Sequence, residues 1–93
     1  MAWVRTIVWS SKLPFADCLK HFKSATAPVL KDSPATAMQY AQTGPNSGLF
    51  IAQFDNKRDL NKHEKLLVDA RKSAGRQMKI RMTVHDGAVK WSG

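Results

Sequence analysis

Cysteine is scarce in this sequence, and long apolar runs are missing. Cys18 is the single cysteine among 93 residues, which excludes an internal disulfide and offers no thiolate cluster for a metal. No stretch of 18 apolar residues occurs, so we expect no transmembrane helix and no membrane partner. The first 13 residues carry one arginine and only a short apolar run, unlike a signal peptide, and indicate a cytoplasmic protein.

Acidic residues are also few, because seven Asp and Glu stand against 15 Lys and Arg, for a net charge of +8. Such an excess favours acidic partners, namely nucleic acid, anionic lipid or anionic metabolites. The basic residues are spread along the chain without a long block of like charge, so a solvated surface explains them equally well. Length and ordinary composition predict one globular domain over residues 1–93.

The segment from Gly48 to Asp55 is the best candidate for a central strand. Alternation places Phe50, Ala52 and Phe54 on one face, and the opposite face is also mainly aliphatic. A strand that is apolar on both faces is typically covered on both sides.

Periodicity and turn residues predict the elements around this strand. Pro14 suits the first turn of a helix that ends or kinks at Pro28, and Asn56 is a good N-cap for a second helix that Gly75 terminates. Asp86 and Gly87 form a strong hairpin signal. The predicted elements are strand 2–10, helix 14–28, strand 35–43, strand 48–55, helix 56–74, strand 77–85 and a terminal strand 88–91.

This order predicts an α+β, ferredoxin-like βαββαβ domain. We expect a four-stranded antiparallel sheet with two helices on one face, followed by a short C-terminal hairpin extension.

Strand alternation assigns each side chain to one of two sheet faces. The face assigned to the helices carries Val4, Val8, Phe50, Ala52, Phe54, Ile80, Met82 and Val84. The open face carries Trp3, Arg5, Ile7, Trp9, Leu49, Ile51, Gln53, Lys79, Arg81, Thr83 and His85, joined by Met38 and Tyr40. Two tryptophans are too much apolar surface to leave in water, so we expect a second copy to cover this face and close a homodimeric barrel.

The βαββαβ order, the apolar helix-free face and the segment Ala27-Pro28-Val29-Leu30 together resemble the dimeric α+β barrel superfamily. That superfamily includes antibiotic-biosynthesis-type monooxygenases, haem-degrading relatives and uncharacterised small proteins. The resemblance implies a homodimer and admits a monooxygenase-like activity. Haem-degrading members place an asparagine on the first strand, a histidine on the second helix and a tryptophan on the third strand. Here the first strand has Arg5, the second helix has His63 and the third strand lacks tryptophan, which argues against haem, and we expect no cofactor.

The candidate site residues are aromatic and basic. Trp3, Trp9 and Tyr40 are predicted to wall a ligand site, with Arg5 and Arg81 contacting an anion. His63 is the one weak catalytic candidate, as a proton carrier, although a histidine simply packed on the sheet explains it better. Three histidines without metal-ligand spacing predict no metal site.

Function is less determined than fold, and three hypotheses remain. The first is binding of a small apolar or anionic molecule, with catalysis left open. The second is an RNA-binding module that uses the open sheet face, although Leu49 and Ile51 stand where base stacking needs aromatic rings. The third is a structural or regulatory dimer without chemistry, because the sequence shows no convergent nucleophile and base.

Overall fold

The computed structural model describes all residues from Met1 to Gly93 and contains one four-stranded antiparallel sheet. Its strands are β1 (Trp3–Ser11), β2 (Ala37–Gly44), β3 (Ser47–Phe54) and β4 (Ile80–Ala88), in the spatial order β2-β3-β1-β4. The predicted βαββαβ architecture is therefore confirmed, with β3 in the interior of the sheet beside β1.

The first helical segment is continuous but changes its winding. It consists of α1 (Phe15–His21), a π-helical turn (Phe22–Thr26) and α2 (Ala27–Leu30). Pro28 has no N–H to donate to the carbonyl of Ser24, and the wider turn directly before it accommodates the missing bond. The sequence predicted a helix end or kink at this proline, and the structure shows a widened turn followed by one further helical turn.

The second helical segment, α3 (Lys57–Gln77), begins as predicted and ends later. The Asn56 side chain accepts a hydrogen bond from the Asp59 N–H at 2.9 Å, which confirms the N-cap. The helix runs through Gly75, which was predicted to stop it. Lys79 makes the left-handed turn instead, with a φ of 52°.

The register of β1 corrects its predicted face. Arg5 pairs with Ala52 and Ile7 with Phe50, and paired residues lie on the same side of a sheet. Trp3, Arg5, Ile7 and Trp9 therefore lie on the helix-covered face, whereas Val4 and Val8 lie on the open face. Alternation alone could not orient β1, because both of its faces are apolar. Arg5 is tolerated under the helices because carboxylates neutralise it.

Two further assignments are corrected by the register of β2. Tyr40 pairs with Phe50 and Met38 with Ala52, so both lie on the helix-covered face and not on the open one. The predictions for the same face of β3 and for Ile80, Met82 and Val84 of β4 are confirmed.

The predicted C-terminal hairpin is wrong. Asp86 and Gly87 lie within β4, where they pair with Arg5 and Val4 of β1. The ion pair between Asp86 and Arg5 explains why this dipeptide continues a strand where its composition suggests a turn. Residues 89–93 form no strand, and Val89 N–H donates to the Ala2 carbonyl at 2.9 Å.

The core lies between the sheet and the helices. It is built from a cluster of buried residues, Leu30, Phe50, Ala52, Phe54, Leu60 and Leu67. Both helical segments pack on this one face of the sheet and leave the other face uncovered. None of the helices has the length and apolar character needed to cross a membrane.

Candidate functional site

A cavity of about 80 Å³ lies beside the core, between the covered face of the sheet and the helices. Its walls come from all four strands, from the first helical segment and from α3. Most of the lining is apolar. The side chains in it that can form strong hydrogen bonds include Trp9, His21, Tyr40, His63 and Arg71.

A more open groove of about 320 Å³ adjoins the cavity. The two spaces share walls formed by Phe22, Leu30, Tyr40 and Phe50. Lys31 stands on the groove and adds a positive charge there. A molecule larger than the cavity can therefore extend into the groove along a continuous apolar surface.

Stacked aromatic rings form one wall of the cavity. Tyr40 stacks on Phe22 with ring centroids 4.2 Å apart and on Trp9 at 5.7 Å, and Trp9 stacks on Phe15 at 5.7 Å. A side chain at Gly48 would collide with the indole of Trp9, so glycine is required for this close packing. Burial raises the pKa of Tyr40, which keeps its phenol protonated at neutral pH.

His63 lies in the wall as a buried, neutral ring. It is 1% exposed, and its Nδ1 is 2.7 Å from the hydroxyl oxygen of Ser33. The ring of Phe54 meets it edge-on with centroids 5.0 Å apart. Burial, reinforced by the charge of Arg5, lowers the pKa of His63 to about 4. At neutral pH the ring is thus uncharged, and its unprotonated nitrogen can accept a hydrogen bond.

Four charged side chains connect the sheet to the cavity. Arg5 binds both carboxylate oxygens of Asp86, at 2.8 and 2.9 Å, and one oxygen of Glu64 at 2.5 Å. The other Glu64 oxygen accepts from Arg71 at 2.8 Å. The bonds from Arg71 and Arg5 lower the pKa of Glu64 to about 2, and the bonds to Asp86 and Glu64 raise that of Arg5. This ionic chain, Asp86–Arg5–Glu64–Arg71, ties β4 and β1 to α3.

Three buried polar atoms have no hydrogen-bond partner in the protein: Trp9 Nε1, His21 Nε2 and Arg71 Nη1. All three belong to residues that line the cavity. Buried polar groups in folded proteins are nearly always hydrogen-bonded, so unpartnered atoms around a cavity point to a bound molecule or to water.

The predicted site residues divide into two groups. Trp9, Tyr40 and His63 line the cavity together. Trp3, Arg5 and Arg81 do not line it, and ligand contact by these three stays a prediction. Trp3 packs under the ammonium group of Lys57, 5.2 Å from the ring centroid, and the Arg5 guanidinium is engaged by carboxylates. Arg81 is exposed on the open face.

Sequence reasoning missed His21 and Arg71 as cavity residues. The signal for Arg71 was present, because His63, Leu67 and Arg71 recur at intervals of four along one face of α3. Arg71 was assigned no role from the sequence, because its neutralisation by Glu64 is not visible in the local pattern. Cys18 is a buried free thiol, 1% exposed, and also lines the cavity.

The open sheet face differs in character from the cavity. Its interior strands present mainly aliphatic and threonine side chains, Val4, Thr6, Val8, Leu49 and Ile51, with Gln53 at one end and Ser10 and Ser47 at the other. No Phe, Tyr or Trp side chain of the four strands lies on this face, whose one ring is the imidazole of His85 on the edge strand β4. Base stacking by an RNA-binding sheet depends on several such rings on its interior strands. The protein also contains no group of three or more His, Cys, Asp or Glu side chains arranged to hold a metal.

Comparison with known proteins identifies the fold and no closer relationship. No protein-family model matches the chain. No curated protein matches it in sequence.

Solved structures of several proteins superpose over nearly the whole chain. SnoaB, a cofactor-independent oxygenase from Streptomyces nogalater, gives a TM-score of 0.77 at 10% identity, covering 98% of this chain and 95% of SnoaB. A dimeric ferredoxin-like protein from an uncultured marine organism gives 0.78 at 9% identity, with coverages of 100% and 98%. A candidate antibiotic biosynthesis monooxygenase from Deinococcus radiodurans gives 0.76 at 11% identity, with coverages of 99% and 95%.

These similarities confirm the ferredoxin-like fold that the resemblance predicted. The proteins share the ferredoxin-like fold. At such low sequence identity, the roles of residues in those proteins cannot be transferred to this chain.

Proposed function

We propose that this protein is a homodimer that binds a small, largely apolar molecule in the cavity between sheet and helices. The observation that carries the proposal is the combination of apolar walls with the unpartnered polar atoms of Trp9, His21 and Arg71. Ligand sites typically combine an apolar surface with a few converging polar groups that fix orientation.

The size of the space suggests the size of the ligand. A cavity of roughly 150 Å³ is enough for benzene in a well-studied protein. The present cavity, at about 80 Å³, takes part of a ring system, and the adjoining groove of about 320 Å³ takes the remainder. A molecule of one or two rings, in contact with Tyr40 where the two spaces meet, matches their combined size.

A second copy of the chain is the proposed cover of the open sheet face. Val8 is 51% exposed there and pairs with Leu49, and Ile51 and Val4 continue the aliphatic surface along the same face. One of the structural neighbours is a dimeric ferredoxin-like protein. Burying an aliphatic face of this kind against its own copy is the simplest way to remove it from water.

Cofactor-independent oxygenation is a second candidate function, favoured by a neutral His63 in the cavity wall and by the activity named for SnoaB. Transfer of one oxygen atom from O₂, with the other leaving as water, requires two protons and two electrons from the bound molecule. His63 would take one of those protons from the bound molecule and return it to the oxygen atom that leaves, so that both protons end in the water formed. Oxygen uptake that depends on a bound substrate and falls at least tenfold in His63→Gln would support this activity.

Binding in the cavity is tested by filling it. Ala74 is a small buried residue of the wall, and Ala74→Phe places a ring in the space that the ligand needs. We expect wild-type protein to bind toluene and phenol saturably in ligand-observed NMR, and Ala74→Phe to weaken binding at least tenfold. The control is Lys72→Phe, on the exposed side of the same helix.

Ala74→Leu serves as a milder filling variant should the phenylalanine prevent folding. Equal binding by wild type and a folded filling variant would show that the probes bind elsewhere, and would contradict the proposal.

A further inference from the structure

Two of the three unpartnered polar atoms of the cavity belong to groups that only donate hydrogen bonds. The indole N–H of Trp9 and the guanidinium of Arg71 can donate hydrogen bonds and cannot accept them. Trp9 is 4% exposed, and its Nε1 is buried without a partner, as is Arg71 Nη1. A bound molecule that satisfies both groups must therefore present acceptor oxygens. A ligand oxygen that accepts from these groups would give them the hydrogen bonds that the protein itself does not supply.

The charges beside the cavity already cancel. The ionic chain contains two guanidinium groups, Arg5 and Arg71, and two carboxylates, Glu64 and Asp86. His63 adds no charge at neutral pH, because burial lowers its pKa to about 4. The buried surroundings therefore offer donors without an unbalanced positive charge.

On the basis of the proposed function, we propose that the cavity selects an uncharged molecule with an acceptor oxygen, such as an aromatic ketone, over a carboxylate of the same shape. A carboxylate would have to lose its hydration in an enclosed apolar space whose one lining guanidinium, Arg71, is already paired with Glu64, since the cation Lys31 lies on the adjoining groove and not in the cavity wall. A carbonyl oxygen loses far less hydration and regains its hydrogen bonds from Trp9 and Arg71.

Within this proposal Arg71 is the specificity-determining residue and Glu64 is a positioning residue. Glu64 holds Nη2 of Arg71 at 2.8 Å, which leaves Nη1 for the cavity. Arg5 of β1 in turn donates a hydrogen bond to Glu64, so the orientation of the Arg71 guanidinium also depends on the Arg5–Glu64 bond.

Three one-ring probes of similar shape test the selection: acetophenone, ethylbenzene and benzoate. The readout is the indole N–H signal of Trp9 in ¹H–¹⁵N spectra of the wild-type protein, assigned with Trp9→Phe. We expect acetophenone to shift this signal saturably and to bind at least tenfold more tightly than either of the other probes.

The same probes separate this proposal from the proposed function. Benzoate binding as tightly as acetophenone would overturn the selection for uncharged ligands and leave cavity binding intact. Ethylbenzene binding as tightly as acetophenone would overturn the role of the donors. Failure of all three probes to bind would overturn the proposed function and this inference with it.

Arg71→Met identifies the donor, since it retains an unbranched apolar side chain and removes the guanidinium. We expect acetophenone to bind at least tenfold more weakly to this variant and ethylbenzene to bind unchanged. Lys72→Met is the matched control on the exposed side of α3. Unchanged acetophenone affinity in a folded Arg71→Met protein would exclude Arg71 as the specificity residue. The comparison of probes on wild-type protein stands even if this variant does not fold.

Discussion

Each charged side chain of the interior has an oppositely charged partner, and the one buried histidine, His63, is uncharged. Arg5 is 3% exposed and is neutralised by Asp86 and Glu64. Leaving one member of such a network unpaired is costly, typically about 3–5 kcal/mol for fully buried pairs and less where water reaches the partner. His63 takes the other course and stays uncharged. These two arrangements make stability sensitive to acid.

We predict that the free energy of unfolding falls in two successive windows as the pH is lowered. The folded pKa of His63, about 4, is below its ordinary 6.5, so its stabilisation is complete above pH 6.5 and is lost between 6.5 and 4. Glu64 titrates at about 2 in place of 4.5, so its contribution is lost between 4.5 and 2. The contribution of His63 to the free energy of unfolding is at most about 3 kcal/mol.

Urea denaturation at a series of pH values measures this dependence. His63→Leu should flatten the slope between pH 6.5 and 4 and leave the lower window in place. An unchanged slope in that variant would contradict the assignment of the first window to His63.

Among the secondary-structure elements, the sequence predicted best those whose two faces differ. The β4 side chains Ile80, Met82 and Val84 alternate with polar residues, and their face was predicted correctly. In β1 both faces are apolar, so the alternation carries no direction, and the charged Arg5 suggested the wrong face. Its burial depends on Glu64 and Asp86, which are distant in sequence. Ion pairs between residues distant in sequence cannot be predicted from local patterns. The position of Arg71 in the cavity wall depends on this same network, so it could not be predicted either.

Local turn signals show the same limit. The Asn56 cap was predicted because it depends on a residue three positions away. The hairpin at Asp86 and Gly87 was wrong because the partner of Asp86 is in β1. The left-handed position after α3 is occupied by Lys79, whereas the glycine of this region, Gly75, remains helical.

The connection from α3 to β4 provides a prediction at the scale of the element. A residue other than glycine in the left-handed conformation is disfavoured by about 1 kcal/mol. We therefore expect Lys79→Gly to stabilise the protein by up to about 1 kcal/mol in urea denaturation. Lys72→Gly, on the exposed side of α3, should instead destabilise it by about 1 kcal/mol. If Lys79→Gly destabilised the protein as much as Lys72→Gly does, the backbone conformation at Lys79 would not be strained.

At the scale of the molecule, surface charge and surface apolarity lie in different places. The ionic chain is balanced, so the net charge of +8 resides on the remaining, mostly exposed residues. Of these basic residues, Arg81 lies on the open sheet face, whose interior strands carry mainly aliphatic and threonine side chains. This separation favours association of two copies through their sheets, with the basic surfaces facing water.

We predict that Val8→Asp converts the proposed dimer to a monomer, because the interface would bury two carboxylates. Leu66→Asp is the matched control, since Leu66 is also an exposed apolar residue but lies on α3. Size-exclusion chromatography with light scattering should give a dimer for wild type and for Leu66→Asp. A dimer that survives Val8→Asp would exclude the open face as the interface.

Native mass spectrometry of the freshly purified protein tests the central claim most directly, because one spectrum reports both the assembly and any bound molecule. We predict twice the chain mass, with an added non-covalent mass of a small uncharged organic compound that Ala74→Phe abolishes. A monomer without added mass would contradict both the sheet-to-sheet dimer and the ligand-binding cavity.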